Sequence, residues 1–399
     1  MISEELYAIV PDDKETVTER NIESVKAAVL VHLYYEEQVD FYYSYLEKIP
    51  CFVDVVIISS KESILEYFVS DRFLKVKKEN RGRDISALLV AAKDVVFQYE
   101  YICFIHDKKE KMPSTKAYVD LWRKNLWDNM LKSGIYIYNI LEMFENDNKI
   151  GLLVPLPPHK RDAGRWLYAS WGPNYENTKK LADELNIKVD ISPELPPYTY
   201  STAFWARTKV LEKLYLKDWK YTDFPNEPMQ NDGEINHAIE RIMQYLAEDA
   251  GCQVKIVLSS SFARHFISLL QGEMIEVWDK LKENFGIMTY QGLNNYHSRV
   301  KQVETFCRQC SEVYLYGAGK VGRECLRICQ SLDIRPKGII VTKIENAVDK
   351  KIEGVPLVPV CDIEPERNTG IIVSVDDRWR AEIVAELEKR KFYQYLLIE

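Results

Sequence analysis

Residues 73–109 read FLKVKKENRGRDISALLVAAKDVVFQYEYICFIHDKK, and their order decides the fold. Phe73–Val76 is a short strand, and Asn80-Arg81-Gly82-Arg83-Asp84 is a polar turn around a glycine. Ile85, Leu88, Leu89 and Ala92 then recur at helical spacing, with Asp84 placed to cap that helix. Tyr101–Ile105 is an unbroken apolar run that stops at His106-Asp107-Lys108-Lys109. Strand, turn, helix, strand in this order is one βαβ unit.

The same alternation extends towards the N-terminus. Val25–Leu33 is an apolar, β-rich run. Glu36–Lys48 carries Val39, Tyr42, Tyr43 and Leu46 on one helical face, and Ile49-Pro50 ends it. Val53–Ser59 is a buried strand and Lys61–Phe68 a short helix. Strands that are apolar throughout, each followed by a helix, predict a mostly parallel sheet covered on both faces, with a ligand at its carboxyl edge. Towards the C-terminus, residues 155–197 are irregular, with PLPP, WGPN and ELPP and one helix near Lys179–Leu185, the composition of binding loops. Phe204–Arg207 returns to strand character, and Glu234–Tyr245 is amphipathic through Ile235, Ala238, Ile239 and Ile242.

A helical stretch then leads to a second α/β pattern, VYLYGAGKVGRECL from Val313, with further strands at Gly338–Val341, Gly370–Val375 and Tyr393–Ile398 and a helix at Arg380–Lys389. The expected organisation is an α/β domain over 1–262, a helical connector over 263–310 and a small Rossmann-like α/β domain over 311–399. A chain of 399 residues exceeds one comfortable core, which agrees with that division.

Composition removes several function classes. A net charge of −8 argues against general nucleic-acid binding, which needs a basic surface. MISEELYAIVPDDKE has no basic segment ahead of an apolar one, so it is not a secretory signal. No apolar run approaches the roughly 18 residues of a membrane-spanning helix. Eight Cys without framework spacing read as reduced thiols of a cytoplasmic protein. Cys307 and Cys310 form a single CxxC with no second pair and no nearby His, so one helix face is preferred to a zinc or redox role.

Four constellations can carry chemistry. In the first, Arg81 and Arg83 with Gly82 put two guanidinium forks and a helix N-terminus at the sheet edge, which suits a diphosphate; a solvated loop capped by Asp84 is the alternative. In the second, His106, Asp107, Lys108 and Lys109 end a buried strand, where a carboxylate can hold a divalent ion against a diphosphate and the lysines can neutralise it; a charged turn is the alternative. The two motifs end consecutive parallel strands and so are expected to share a site. The third is Asp223-Phe224-Pro225-Asn226-Glu227-Pro228 with Asn231-Asp232-Gly233-Glu234, where a carboxylate can deprotonate an acceptor hydroxyl or cap the following helix; His237 and Arg241 lie further along that helix. The fourth is Gly317-Ala318-Gly319-Lys320-Val321-Gly322 between strand and helix, the context of a dinucleotide fingerprint. Thr342 and Lys343 stand where a ribose-binding acid belongs, so NAD is not expected, and another ligand on Gly317, Gly319, Lys320 and Gly322 or a purely structural turn remains.

Taken together, VHLYYEE, NRGRDISALL, EYICFIHDKK, NLWDNML, IGLLVPLPP, AFWARTKVL and DFPNEPMQNDGEINHAIER resemble the rhamnan synthesis protein F family, glycosyltransferase-like proteins of bacterial surface polysaccharide assembly, from about Val29 to Gly251. The resemblance implies a GT-A-like fold and a nucleotide-sugar donor, with dTDP-L-rhamnose suggested by the family's name. The Asp-x-Asp of many GT-A enzymes is replaced by His106-Asp107-Lys108. Asp107 holding Mg²⁺ or Mn²⁺ is one reading; charge neutralisation by Lys108, Lys109, Arg81 and Arg83 is the other, and the second is preferred.

The expected mechanism is inverting transfer to a glycan or lipid-linked glycan, with only transient membrane contact. Asp232 is the expected base, with Glu234 and Asp223 as substitutes. His32, Asn80, Arg81, Gly82, Arg83, Asp84, His106, Asp107, Lys108 and Lys109 are the expected donor-binding residues. Trp171, Trp205 and Arg207, with Trp166, are the expected acceptor contacts, set against ordinary core packing for any one Trp. A non-catalytic glycan- or nucleotide-binding scaffold and an NAD-dependent oxidoreductase are the other classes carried forward.

Overall fold

A computed structural model of the chain describes residues 6–14, 22–110, 113, 116–157, 171–230, 232–342 and 351–398. It divides into two compact units, Met1–Ser268 and Leu269–Glu399.

The first unit is built on strands β1 (Tyr7–Val10), β2 (Ala27–His32), β3 (Val53–Ser59), β4 (Phe73–Lys77), β5 (Tyr101–His106), β6 (Ile150–Val154), β7 (Phe204–Arg207) and β8 (Gln253–Ser259). They form one eight-stranded sheet in the order β1-β8-β6-β7-β5-β2-β3-β4. Every described pairing is parallel except those of β7, which runs antiparallel to β5 and β6. The chain reaches β7 after the long excursion from 155 to 203 and enters from the opposite end, so it fills the gap between two parallel strands without a crossover helix.

All residues of β2, β5 and β6 are buried. On one face, Val29, Val31, Val55, Ile57, Cys103 and Ile105 pack with Leu126, Trp127, Met130, Tyr136 and Ile140 of the helices Lys116–Met130 and Gly134–Asn146. Each such side chain contributes roughly 1.5–3 kcal/mol on burial. That surplus lets the strand ends carry polar groups whose own burial is unfavourable.

The segment after β4 departs from expectation. Gly82, at φ +71°, precedes a helix that begins at Arg83, and Asp84 lies inside its first turn rather than at the cap. That helix is a single turn, Arg83–Ser86, followed by a π-helical stretch, Ala87–Ala91, and a further turn, Lys93–Val96. A long helix with a free N-terminus is therefore not what the turn presents.

The second unit has strands β9 (Glu312–Tyr316), β10 (Gly338–Val341), β11 (Lys351–Ile352), β12 (Val355–Pro359), β13 (Thr369–Val373) and β14 (Tyr395–Leu397), in the order β11-β12-β10-β9-β13-β14. Only β11 is antiparallel among the described pairings. Within 263–310, the helix Ser260–Phe285 crosses the division between the units, whereas Val303 of the helix Tyr290–Cys307 is buried with Val313, Leu315, Leu326, Ile339 and Ile372. The second half of the expected connector is thus part of the second unit's core.

The glycine pattern here has a steric reason. Gly317 has φ +124°, and a Cβ on it would stand 2.6 Å from the Ser374 carbonyl oxygen; one on Gly322 would stand 1.9 Å from the Gly317 carbonyl oxygen. Close packing of turn, strand and helix accounts for both glycines without a ligand. Gly319 is open on its Cβ side and Lys320 is exposed.

Candidate functional site

From β2 the chain adds β3 and β4 on one side, then returns to place β5 on the other. This makes the β2/β5 edge the sheet's topological switch point, where α/β folds place their ligand crevice. His32 and His106 are register partners there, so their side chains share one face. The next residue, Asp107, ties the two loops: its Oδ2 accepts from the backbone N–H of Tyr34 at 2.5 Å and of Tyr35 at 2.7 Å, and its own N–H donates to the His32 carbonyl at 3.1 Å. Burial pushes its carboxyl up to about 6, against the two N–H donors and His106, which favour the charged form.

Asp107 is thus built into the crevice floor. Among the described residues no group of three His, Cys, Asp or Glu side chains is placed to hold a metal ion. The arrangement does not suit a divalent ion on Asp107. The lysines beside it also have partners: Lys109 pairs with Glu37, and the Lys108 ammonium lies 3.3 Å from the centre of the Trp122 ring.

Above the crevice floor, Asp84 Oδ2 is 3.9 Å from His106 Nε2. Burial opposes the charge on Asp84, but His106, the Thr202 hydroxyl and Lys108 outweigh it and hold the carboxyl down to about 2. His32 is pushed down to about 3 by burial and by Lys78 and His106, so its ring is neutral. Lys78 is buried and donates to the carbonyls of Glu79 at 2.7 Å and Arg81 at 3.4 Å; burial brings it down to about 8, against Asp84 and Glu227.

The third motif closes onto the Gly82 turn. Arg81 Nε donates to the Phe224 carbonyl at 2.7 Å and its Nη2 to the Thr222 carbonyl at 3.2 Å. Arg83 forks onto Glu227 at 3.3 and 3.4 Å and reaches the Met229 carbonyl. Asn236, in the first turn of the helix Ile235–Asp249, donates to the Gly82 carbonyl at 2.9 Å. The two arginines expected to meet a diphosphate thus hold the 222–229 loop on the turn. Asn80 is exposed.

Of the three carboxylates proposed as base, Asp223 accepts from Lys220 N–H at 2.8 Å and closes a local turn. Glu234, not Asp232, is the N-cap residue of the helix, and its N–H donates to His237 Nδ1 at 3.3 Å. Asp232 is exposed; its Oδ1 accepts from Asn174 Nδ2 at 2.7 Å and Gly233 N–H at 3.0 Å, while Oδ2 takes no hydrogen bond from the described residues.

The expected acceptor contacts lie elsewhere. Trp205 is fully buried and donates to the Met130 carbonyl at 2.9 Å, so it is a core residue and offers no face to a sugar. Trp171 is buried against Tyr245 and Tyr175, with its Nε1 on the Ser192 carbonyl. Arg207 pairs in register with Tyr101, at the start of β5, where it bonds Tyr101 Oη and the Ile150 carbonyl. Five residues of strand separate that end from His106, roughly 17 Å. Arg207 therefore stands at the opposite edge of the sheet. Trp166, Asn231 and Lys343 lie outside the described residues.

Sequence reading missed Lys78, Thr202 and Asn236. Asn236 had a signal: a polar residue three and seven positions before Ile239 and Met243, on the buried face of an amphipathic helix. Lys78 had none, since nothing in KVKKEN separates it from the exposed Lys77.

An eight-stranded, mostly parallel α/β sheet with ionisable groups gathered at its switch point is the architecture in which α/β proteins place a ligand site. The chain belongs to the rhamnan synthesis protein F family, whose profile matches residues 4–252. That stretch contains all three motifs of the site and stops short of the second unit. A solved structure, the X-ray structure of the mannosyltransferase Ktr4p from S. cerevisiae, is similar at 11% identity and a TM-score of 0.28, over 61% of this chain and 66% of that one. No curated protein matches.

Proposed function

We propose that the first unit is a glycosyltransferase of GT-A-like architecture that moves a sugar from a nucleotide-sugar donor to a glycan hydroxyl. The observation that carries this is the meeting of Asn80–Asp84 and His106–Lys109, both within the family match, at one switch point. The family's description, rhamnan synthesis, supports L-rhamnose as the sugar; a dTDP donor and a cell-surface polysaccharide acceptor complete the proposal. Transfer is inverting: Asp232, whose Oδ2 takes no hydrogen bond from the described residues, takes the proton from the acceptor hydroxyl as that oxygen attacks the anomeric carbon. The bond from that carbon to the diphosphate breaks, and the electron pair leaves with the nucleotide. Arg83 and Lys108 are the cations best placed to receive it, and no step runs through a metal ion. No described helix is long and apolar enough to cross a membrane.

The test is nucleoside-diphosphate release from a panel of nucleotide sugars that includes dTDP-L-rhamnose, with Mg²⁺ and with EDTA. Release from one donor, insensitive to EDTA and lost in Asp232→Asn with acceptor present, is the expected result. No release and no thermal shift with any donor would favour the second reading, a non-catalytic scaffold. The engagement of Arg81 and Arg83 by the 222–229 loop is the observation on that side.

A further inference from the structure

The helix Ser260–Phe285 is covered only near its start. Phe262, Ala263 and Phe266 are buried, and from Ile267 to Phe285 no residue is. The uncovered part is nevertheless amphipathic. Ile267, Leu270, Met274, Val277 and Leu281 recur at spacings of three and four, with Trp278 and Phe285 beside them. On a helix these positions fall on one stripe roughly 100° wide. Ile267 and Met274 are 57% exposed and Val277 is 52% exposed, while Leu270 and Leu281 are half-buried. At the far end Phe285 packs on Tyr296 of the helix Tyr290–Cys307, with ring centres 5.2 Å apart.

An apolar stripe of this kind, open to water, marks a surface that something covers. Charge decides against an anionic lipid surface, which calls for Lys and Arg around the stripe. Residues 269–285 instead carry Glu273, Glu276, Asp279 and Glu283 against Lys280 and Lys282. The stripe does complement itself when a second copy runs antiparallel to the first. With Met274 opposite Val277 of the second copy, Leu270 faces Leu281, and a two-fold axis repeats both contacts. Glu273 and Lys280 lie on one flank of the stripe, and in this register each comes beside its opposite charge on the second copy. A parallel pairing would set them beside Trp278 and Phe285, with no charges matched.

We propose that the stripe on Ser260–Phe285 is a self-association surface, on which two copies of the chain pair their helices antiparallel about a two-fold axis. The helix is already formed, and its two ends are held by Phe262 and Phe266 and by Phe285, so pairing does not have to order it. The seam from Leu270 to Leu281 is about 16 Å long. A seam this short gives a dimer that dissociates on dilution rather than an obligate one. The surface lies outside the stretch matched by the family, residues 4–252, and takes no residue from the site at the sheet edge.

The experiment is sedimentation equilibrium of the full chain over a concentration series. Wild type should move from the 46.7 kDa of one chain towards twice that mass as concentration rises. Met274→Glu combined with Val277→Glu should stay monomeric throughout, with an unchanged melting temperature because both residues are exposed. Lys280→Glu and Glu273→Lys should each weaken the dimer about tenfold, since two matched pairs become like-charge pairs. The double variant Glu273→Lys/Lys280→Glu should return to within about threefold of wild type, as only this register allows. A wild type that is monomeric at every concentration would overturn the proposal, as would a dimer that survives Met274→Glu/Val277→Glu or a charge swap that restores nothing. Co-sedimentation of monomeric wild type with phosphatidylglycerol vesicles would assign the stripe to a lipid surface and overturn it equally.

Discussion

Replacing Gly82 by Ala should cost far more stability than replacing Gly251, although both glycines have φ +71°. At Gly251 a Cβ would meet nothing within 4 Å, so Gly251→Ala isolates the backbone cost. A left-handed conformation costs a non-glycine residue about 1–2 kcal/mol, and the stiffer unfolded chain returns about 0.4–1 kcal/mol, leaving a loss near 1 kcal/mol. At Gly82 the new Cβ would stand 2.7 and 2.9 Å from Phe224 Cγ and Cβ and 2.8 Å from Ser86 Cβ. Phe224 is buried and stacked on Trp219, and Ser86 is fixed in the helical turn, so neither can simply swing away. Overpacking of this sort costs typically about 1–3 kcal/mol more. The expected total is therefore about 2–4 kcal/mol, against about 1 kcal/mol at Gly251. The assay is urea unfolding of the first unit's transition, with the slope m checked for constancy. Moving Phe224 also moves the carbonyl that Arg81 grips, so limited proteolysis within 222–229 should quicken in Gly82→Ala alone. Equal losses in the two variants would refute the claim that this turn is packed against the loop.

Asp107 gives a pH prediction. Its carboxyl titrates at about 6 in the fold against 3.8 for an unperturbed group, so the folded state holds the proton more tightly. The stability this contributes is full below about pH 4 and is lost as pH rises through 6. Asp107→Asn should therefore gain on wild type between pH 4 and pH 7.5 by up to about 3 kcal/mol, measured as melting curves at each pH; a constant difference would contradict it. Trp205→Ala should lose about 3–5 kcal/mol as a core truncation, read by thermal unfolding, and an unchanged melting temperature would put Trp205 back on the surface. Thiol titration of the native chain should find Cys51 and Cys361 reacting first and Cys103, Cys325 and Cys329 only on unfolding; early labelling of Cys103 would mean that β5 is not buried.

The fold was legible where one local pattern sufficed. Val53–Ser59, Phe204–Arg207 and Gly338–Val341 are strands with the expected bounds, because an apolar run between polar turns has one reasonable reading. The antiparallel direction of β7 was not legible, since direction depends on where a long irregular segment brings the chain back. The break after Ser86 was not either: Ala87–Ala91 keeps helical spacing in sequence while its hydrogen bonds run one residue longer. At the site, the sequence pointed to two motifs that do meet, through Asp84 and His106, and misread the partners of several side chains there. Arg81, Arg83 and Lys109 looked available because their partners, the 222–229 carbonyls, Glu227 and Glu37, are distant in sequence or belong to the backbone. Asp107 looked like a ligand because the N–H groups of Tyr34 and Tyr35 leave no trace in residue type.

Relative bond strengths separate the two arginines. Arg83 holds Glu227 at 3.3 Å with both side chains about one third exposed, a kind of pair worth only about 0–1 kcal/mol. A phosphate offers the same fork a charge-assisted, two-point contact of greater strength, so exchanging Glu227 for a phosphate is favourable. Arg81 instead grips backbone carbonyls, one of them belonging to the buried Phe224, and releasing them leaves those oxygens without a donor. Arg81 therefore acts on the shape of the turn, while Arg83 can change partner when a donor arrives. Asp107 is committed to the two loops. Under the proposed function the diphosphate would then be met by Arg83, at the loop it now holds.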